Sequence, residues 1–383
     1  MENWITGMGM VASVGHTLDE CFNAFCRGES GNKSLQAFPR ERFNVGKAYE
    51  IDDRPDKGGD TPGRATKWLV RAIGQALTAA GLRAGQGRVA VLVGTGLREL
   101  RSLELWWVEG QPMHVSELHF GGAIRKSTGM RVPVMTFSNA CAASNFMLGL
   151  ADDMLRLGDY DAVVVSGCDS ITESMFGLLD RVNPLHPEQV QPFDRNRKGV
   201  LMGEGAAALV LENPDHARLR SKGPMALLRS VGMSCDAFHE TQPAMEGIQR
   251  AMTDAYDRAR VEPAQIGLMM VHGTGTAAND MTEAKAIVGL MGQAGGGVMI
   301  SGLKSMTGHT SGASGLVGVV TAVKAMERGL VPPTLGFNEP LAEAPGLDVV
   351  HGKAREARVN LAQVNAFGFG GVNAVAILER SEP

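Results

Sequence analysis

One cysteine and two histidines stand in settings unlike those of their counterparts elsewhere in the chain. Cys141 lies in Thr136-Phe-Ser-Asn-Ala-Cys141-Ala-Ala-Ser-Asn, where a β-rich run ends and a small-residue turn leads into a helical pattern. A thiol at a helix start faces unsatisfied backbone N–H groups and the positive end of the helix dipole, which favour a thiolate and can also hold an oxyanion. A nucleophilic thiol needs a base or an electrostatic partner. His272, in Val271-His272-Gly-Thr-Gly-Thr276, follows one apolar strand, and His309, in Lys304-Ser-Met-Thr-Gly-His309, follows another. Both therefore fall at the C-terminal ends of strands, where open α/β sheets build their sites. Cys168, after a strand but without such a motif, reads as structural, and so do the remaining histidines.

The elements that must position these residues are short apolar runs alternating with helical patterns. Strands are expected at 88–93, 134–137, 161–165, 206–211, 266–271, 298–300, 361–366 and 372–378, and helices at about 64–81, 141–157, 244–260, 282–291 and 310–328. The class is α/β, with mixed sheets because the last two runs are joined by a Gly turn and pair as a hairpin. Turn residues and charge around Asn213–Pro224 mark a boundary between residues 1–215 and 216–383. Each half runs a strand through a small-residue turn into a long helix, once at Cys141 and once at His309, as a duplication would.

Composition narrows the function. The 383 residues carry 37 basic and 41 acidic side chains, which disfavours an overall nucleic-acid footprint. No apolar run approaches a membrane span of ~18 residues, and Met1-Glu2-Asn3-Trp4 lacks an export signal, so a cytoplasmic protein is expected. Five cysteines without CxxC spacing disfavour both a disulfide framework and a metal site. The 49 glycines are about twice the usual ~7% and sit beside strands, implying many tight turns.

Six ordered blocks resemble the elongating β-ketoacyl-acyl-carrier-protein synthases. They are Ala140-Cys141-Ala-Ala-Ser, Pro192-Phe-Asp-Arg-Asn-Arg-Lys-Gly199, Gly203-Glu-Gly-Ala-Ala-Ala-Leu-Val-Leu-Glu212, His272-Gly-Thr-Gly-Thr276, Lys304-Ser-Met-Thr-Gly-His309 and Asn365-Ala-Phe-Gly-Phe-Gly-Gly-Val-Asn373. The resemblance implies a thiolase-like fold, two similar α/β halves giving a five-layered α-β-α-β-α core. It implies that Cys141 accepts an acyl chain from a carrier-protein thioester, the backbone N–H groups of Cys141 and Phe369 holding the oxyanion. His272 and His309 would bind the malonyl thioester carbonyl, support loss of CO2 and stabilise the enolate. Lys304 and Glu283 would form a buried ion pair that orients the loop, while Thr274 and Thr276 would lie beside the malonyl carboxylate. Phe369 would gate the pocket between Gly368 and Gly370. No metal or redox cofactor is implied, since substrates arrive on the phosphopantetheine of acyl-carrier protein.

Departures from the family pattern bear on specificity. Val200 stands where fatty-acid enzymes usually carry an aromatic, and Gly318 where they commonly have Glu, as in polyketide synthases; the segment 97–131 with Trp106-Trp107 matches no family motif. These tilt the reading toward a specialised polyketide or fatty-acid-like route. Arg64, Lys67 and Arg71 share one helical face, a candidate docking surface for acyl-carrier protein. A homodimer is expected, a heterodimer with a related subunit being the alternative. Rival readings are a non-condensing chain-length-factor-like subunit, which usually lacks the cysteine, and acyl transfer to a non-carbon nucleophile. Gly273-Thr-Gly275 and Gly203-Glu-Gly205 loosely match a dinucleotide fingerprint but are not expected in a strand-turn-helix context.

Overall fold

The computed structural model describes residues 2–55, 59–183, 185–292 and 297–382. Its centre is an eleven-stranded sheet. In chain order the strands are β1 (Asn3–Ala12), β2 (Val89–Thr95), β3 (Val134–Ser138), β4 (Ala162–Asp169), β5 (Gly205–Glu212), β6 (Ala226–Cys235), β7 (Leu268–Met270), β8 (Met299–Ser301), β9 (Asp348–Val349), β10 (Leu361–Gly368) and β11 (Val372–Arg380). The spatial order is β9-β8-β7-β10-β11-β6-β1-β5-β4-β2-β3. Read from its outer strand inward, β3-β2-β4-β5-β1 repeats as β8-β7-β10-β11-β6. In both copies the outer three strands are parallel and the inner pairings antiparallel. The copies meet where Asn3–Ile5 pair with Ala226–Leu228.

Four helices complete the layers: α1 (Arg64–Ala80), α2 (Ala143–Arg156), α3 (Met245–Ala259) and α4 (Ser314–Arg328). Helix α1 covers the outer face of the first copy and α3 that of the second, while α2 and α4 pack against each other and against strands of both copies. The result is the expected α-β-α-β-α arrangement of two similar α/β halves. Helix α4 is buried along almost its whole length, with Gly315 to Met326 in the core, because it lies between two sheet layers.

Strands β1 and β6, absent from the expected set, are glycine-interrupted runs. A Cβ on Gly9 would stand 2.2 Å from the Ala72 carbonyl oxygen of α1, and one on Gly232 would stand 2.2 Å from that of Ala251 in α3. Each outer helix thus presses its backbone onto the first strand of its copy, where any side chain would force it away. The hairpin expected from the final two runs is β10–β11, paired from Leu361↔Glu379 to Gly368↔Val372. The segment 97–131 carries two further helices, Leu100–Glu109 and Gly121–Thr128, with Trp107 79% exposed.

One expectation for the surface fails. Arg64 is buried, its guanidinium 2.7 Å from Asp53, 2.9 Å from Asp60 and 2.8 Å from Glu204. Arg54 and Arg101 join the same network through Asp60. Buried guanidinium groups need fully paired hydrogen bonds, so Arg64 ties α1 to the start of β5 and cannot serve a docking face with Lys67 and Arg71, which remain exposed. Among the described residues no helix is long and apolar enough to cross a membrane.

Candidate active site

The two copies place matching turns at the middle of the molecule. After β3, Ala140 takes φ 47° and Ala140–Ala142 forms a 3-10 turn into α2; after β8, Ser311 takes φ 46° and Ser311–Ala313 forms a 3-10 turn into α4. A left-handed φ at a residue with a side chain is strained, and its recurrence at equivalent points marks a sharp change of direction imposed from outside. Asp169, at the end of β4, restrains the second of these turns and ties it to the end of β2. Its carboxylate accepts hydrogen bonds from Thr95 Oγ1, Gly96 N, Leu97 N and Gly312 N at 2.6–2.8 Å, joining both copies beneath the turns.

Cys141, His272 and His309 line one cavity of about 280 Å³ together with Thr274, Thr276, Val200, Gly368 and Phe369. Leu97, Met175, Leu179 and Met202 extend its apolar wall. Gly370 lies just outside the lining, at φ 83°, with its N–H donated to the Glu240 carbonyl at 2.7 Å. The imidazoles of His272 and His309 are 5.5 Å apart between centroids and nearly perpendicular, at 83°. Thr274 and Thr276 hydroxyls bond to each other at 2.8 Å.

Each ring is engaged from behind at Nδ1. Lys304 Nζ stands 3.3 Å from Nδ1 of His272 and also donates to the His272 carbonyl. An ammonium only donates, so Nδ1 of His272 is an acceptor and its single proton sits on Nε2. Nδ1 of His309 is 3.0 Å from Ser314 Oγ. Both rings have pKa values well below that of free histidine, first because they are buried and then because Lys304 lies nearby. They are neutral at physiological pH. Lys304, lowered by burial to about 8, keeps most of its charge there.

Glu283 is also buried, but no ion pair joins it to Lys304 among the described residues. Its Oε1 accepts the His272 N–H at 2.8 Å and its Oε2 the Gly273 N–H at 2.9 Å, with Asn365 Nδ2 at 2.9 Å from Oε1. The expected direct pairing is therefore replaced by two separate grips on His272, Glu283 on its amide and Lys304 on its carbonyl and ring.

The histidine loop corrects a second expectation. Gly273–Gly275 does lie between a strand, β7, and a helix, Ala277–Met291, that begins at the Thr276 cap. Its N–H groups are nonetheless occupied: Glu283 takes Gly273, and Asp280 takes Gly275 at 3.1 Å as well as Phe193 at 2.8 Å. The two glycine N–H groups that would cradle a pyrophosphate are thus already committed. The Gly203-Glu-Gly205 block likewise has a structural role: a Cβ on Gly203 would fall 1.9 Å from the Thr307 carbonyl oxygen, and Gly203 N donates to the His309 carbonyl at 3.0 Å.

Burial pushes the Cys141 thiol up to about 11, against the pull of Lys304 and of the Phe369 N–H. The helix start and Lys304 do pull toward the thiolate, but desolvation outweighs them in the closed cavity. Sequence reasoning missed Asp169, Asp280 and Ser314. Only the proximity of Asp280 to His272 in the chain signalled one of them, since the contacts of the other two are set by folding.

The comparisons agree with this geometry. The family profile described as Beta-ketoacyl synthase, N-terminal domain, matches residues 4–217, and that of the Beta-ketoacyl synthase, C-terminal domain, matches residues 225–338. The chain is 32% identical to 3-oxoacyl-[acyl-carrier-protein] synthase 2 of Vibrio cholerae over 98% of each chain, and 30% identical to Nodulation protein E of Rhizobium meliloti over 97% of each. Among solved structures it is similar to the ishigamide ketosynthase/chain length factor, with TM-score 0.90 and 34% identity over 100% of this chain and 99% of that one.

The raised thiol pKa predicts how Cys141 reacts with iodoacetamide. The thiolate fraction should climb about tenfold per pH unit above neutrality, with no plateau below pH ~9. Mass-spectrometric alkylation rates at Cys141 that level off near pH 7 would contradict the desolvated environment.

Proposed function

Because the chain belongs to the β-ketoacyl synthase family, we propose that it condenses an acyl group held on Cys141 with a malonyl thioester delivered by acyl-carrier protein, in a specialised polyketide or fatty-acid-like route. The observation that carries this reading is a pair of neutral, crossed imidazoles in the same cavity as the thiol, each engaged at Nδ1 from behind. Such rings can hold a carbonyl oxygen as it gains charge without supplying a carboxylate that would repel malonate.

The steps balance on these groups. Cys141 sulfur attacks the acyl thioester, and the carrier's phosphopantetheine leaves as a thiol that takes up the cysteine proton. The malonyl carbonyl oxygen then sits between His272 and His309. The bond to the carboxylate breaks, CO2 departs, and the electron pair forms an enolate held by the two imidazoles. The enolate carbon attacks the acyl-cysteine carbonyl, whose oxyanion is held by the N–H groups of Cys141 and Phe369. Collapse expels the sulfur as a thiolate, which takes a proton from solvent, and releases a β-ketoacyl chain on the carrier. Thr274 and Thr276 give the malonyl carboxylate hydroxyl donors without adding charge, so its departure is not opposed. Phe369, 39% exposed with Gly370 and Gly371 after it at positive φ, supplies the gate.

This chemistry draws on side chains and the carried thioester alone, so no resident cofactor is assigned. Residues 1–215 contribute the nucleophile and residues 216–383 the two histidines and the gate, a division supported by the extents of the two matched profiles. A dimer through the edge strand β3, where Phe137 is exposed, fits the open side of the sheet, with a second copy or a related subunit as partner. A cytoplasmic setting accords with a carrier-protein substrate.

Incubation with acyl-carrier protein bearing a medium-chain acyl group, followed by malonyl-carrier protein, tests the reading. Mass spectrometry should show an acyl adduct on Cys141 that is consumed to give a β-ketoacyl product. An adduct released as an ester or amide, or no adduct, contradicts it. Val200, buried in the apolar wall, sets the pocket's depth. Val200→Phe should shift the accepted acyl groups toward shorter chains, and an unchanged length profile would show that this wall does not limit the substrate.

A further inference from the structure

His309 is the one pocket imidazole that Lys304 does not touch, and the first turn of α4 takes over its orientation. Ser314 Oγ lies 3.0 Å from Nδ1 of His309 and 3.1 Å from Thr310 Oγ1. Ser314 is not occupied in capping its helix, whose first residue it is. One turn later on the same face stands Gly318, and the space beside it is a cavity of about 20 Å³ lined by Lys304, Thr307, Thr310, Ser314 and Asn365 among others. That volume admits about one water among polar partners. A Cβ on Gly318 would come within 2.7 Å of Val364 Cγ1, so the wall has no room for a side chain as things stand.

A neutral imidazole carries one proton, and its position decides what the ring offers the cavity. If the Thr310 hydroxyl donates to Ser314 Oγ, the Ser314 proton is free to donate to Nδ1, and the ring proton must then sit on Nε2. That is the tautomer Lys304 imposes on His272 by a different route. Two Nε2–H groups would then point to one oxygen. We propose that Ser314, backed by Thr310 in the pocket beside Gly318, is a positioning residue that holds His309 in its Nε2–H tautomer. The proposal rests on the condensation reading, and it assigns to this chain's own hydroxyls the task of presenting the second enolate donor.

The test compares the wild type, Ser314→Ala and Ser314→Thr by two readouts. Condensation is followed with pre-acylated enzyme and malonyl-carrier protein, and the His309 tautomer by 15N NMR of histidine-labelled protein. Ser314→Ala should lower kcat about 10- to 100-fold with KM for malonyl-carrier protein held within about twofold, as loss of an orienting partner does. Its His309 resonances should move from the Nε2–H pattern to a mixture of tautomers, and Ser314→Thr should restore both readouts. Wild-type kcat in Ser314→Ala, an unchanged His309 tautomer, or a folded Ser314→Thr enzyme that restores neither readout overturns the proposal. A wild-type enzyme that takes the acyl group on Cys141 yet forms no β-keto product sinks the condensation reading instead, and the NMR comparison still judges Ser314.

Discussion

The site depends on a buried ammonium that no carboxylate touches directly, Glu283 supporting its charge from a distance. Lys304 is lowered by desolvation but keeps its proton near neutral pH, and it directs that charge to the carbonyl and Nδ1 of His272. Its field helps hold both histidines neutral and opposes the desolvation of Cys141. Removing it would leave His272 free to exchange tautomers and would take away the positive charge that acts on Cys141 and on both imidazoles. Glu283 completes the arrangement: its two oxygens grip the amides of His272 and Gly273 while its charge favours the protonated lysine from a distance.

Duplication explains how such distant segments meet. Each copy leads from a parallel strand, directly in the first and through the short helix Lys304–Thr307 in the second, to a left-handed residue that starts a helix buried between the sheets; one turn carries Cys141, and the other lies just after His309. Asp169 fastens the end of β2 in the first copy, through Gly96 and Leu97, to the Ser311 turn of the second, through Gly312, so one buried carboxylate ties the copies together beside the pocket wall. The acyl-side wall comes from the first copy and the imidazoles from the second, and the cavity is the seam between them.

Much of this was legible from residue order. Apolar runs with β-branched residues located the strands flanking the site, and small-residue turns after β3 and β8 located the two helix starts. Strands β1 and β6 were not, because Gly7, Gly9 and Gly232 interrupt their apolar pattern for a reason visible only once helices lie on them. The three principal site residues were readable from local context, and the threonines from the family resemblance. Arg64 looked like surface charge because helical spacing reports a shared face but not what covers it; Asp53, Asp60 and Glu204 cover it. The same gap hid the separate duties of Lys304 and Glu283, since both are near His272 and opposite in charge, yet backbone amides compete more effectively for the carboxylate. Ser314 carries no motif at all, and its contact with His309 arises from one helical turn doubling back.

The most direct measurement is malonyl-carrier-protein decarboxylation by Lys304→Met, set beside acylation of Cys141 in the same variant. If the buried ammonium fixes the histidine donors, decarboxylation should fall on the order of 100-fold or more while acylation falls far less. Decarboxylation within about threefold of wild type, in a variant whose far-UV spectrum and melting are unchanged, would contradict the account.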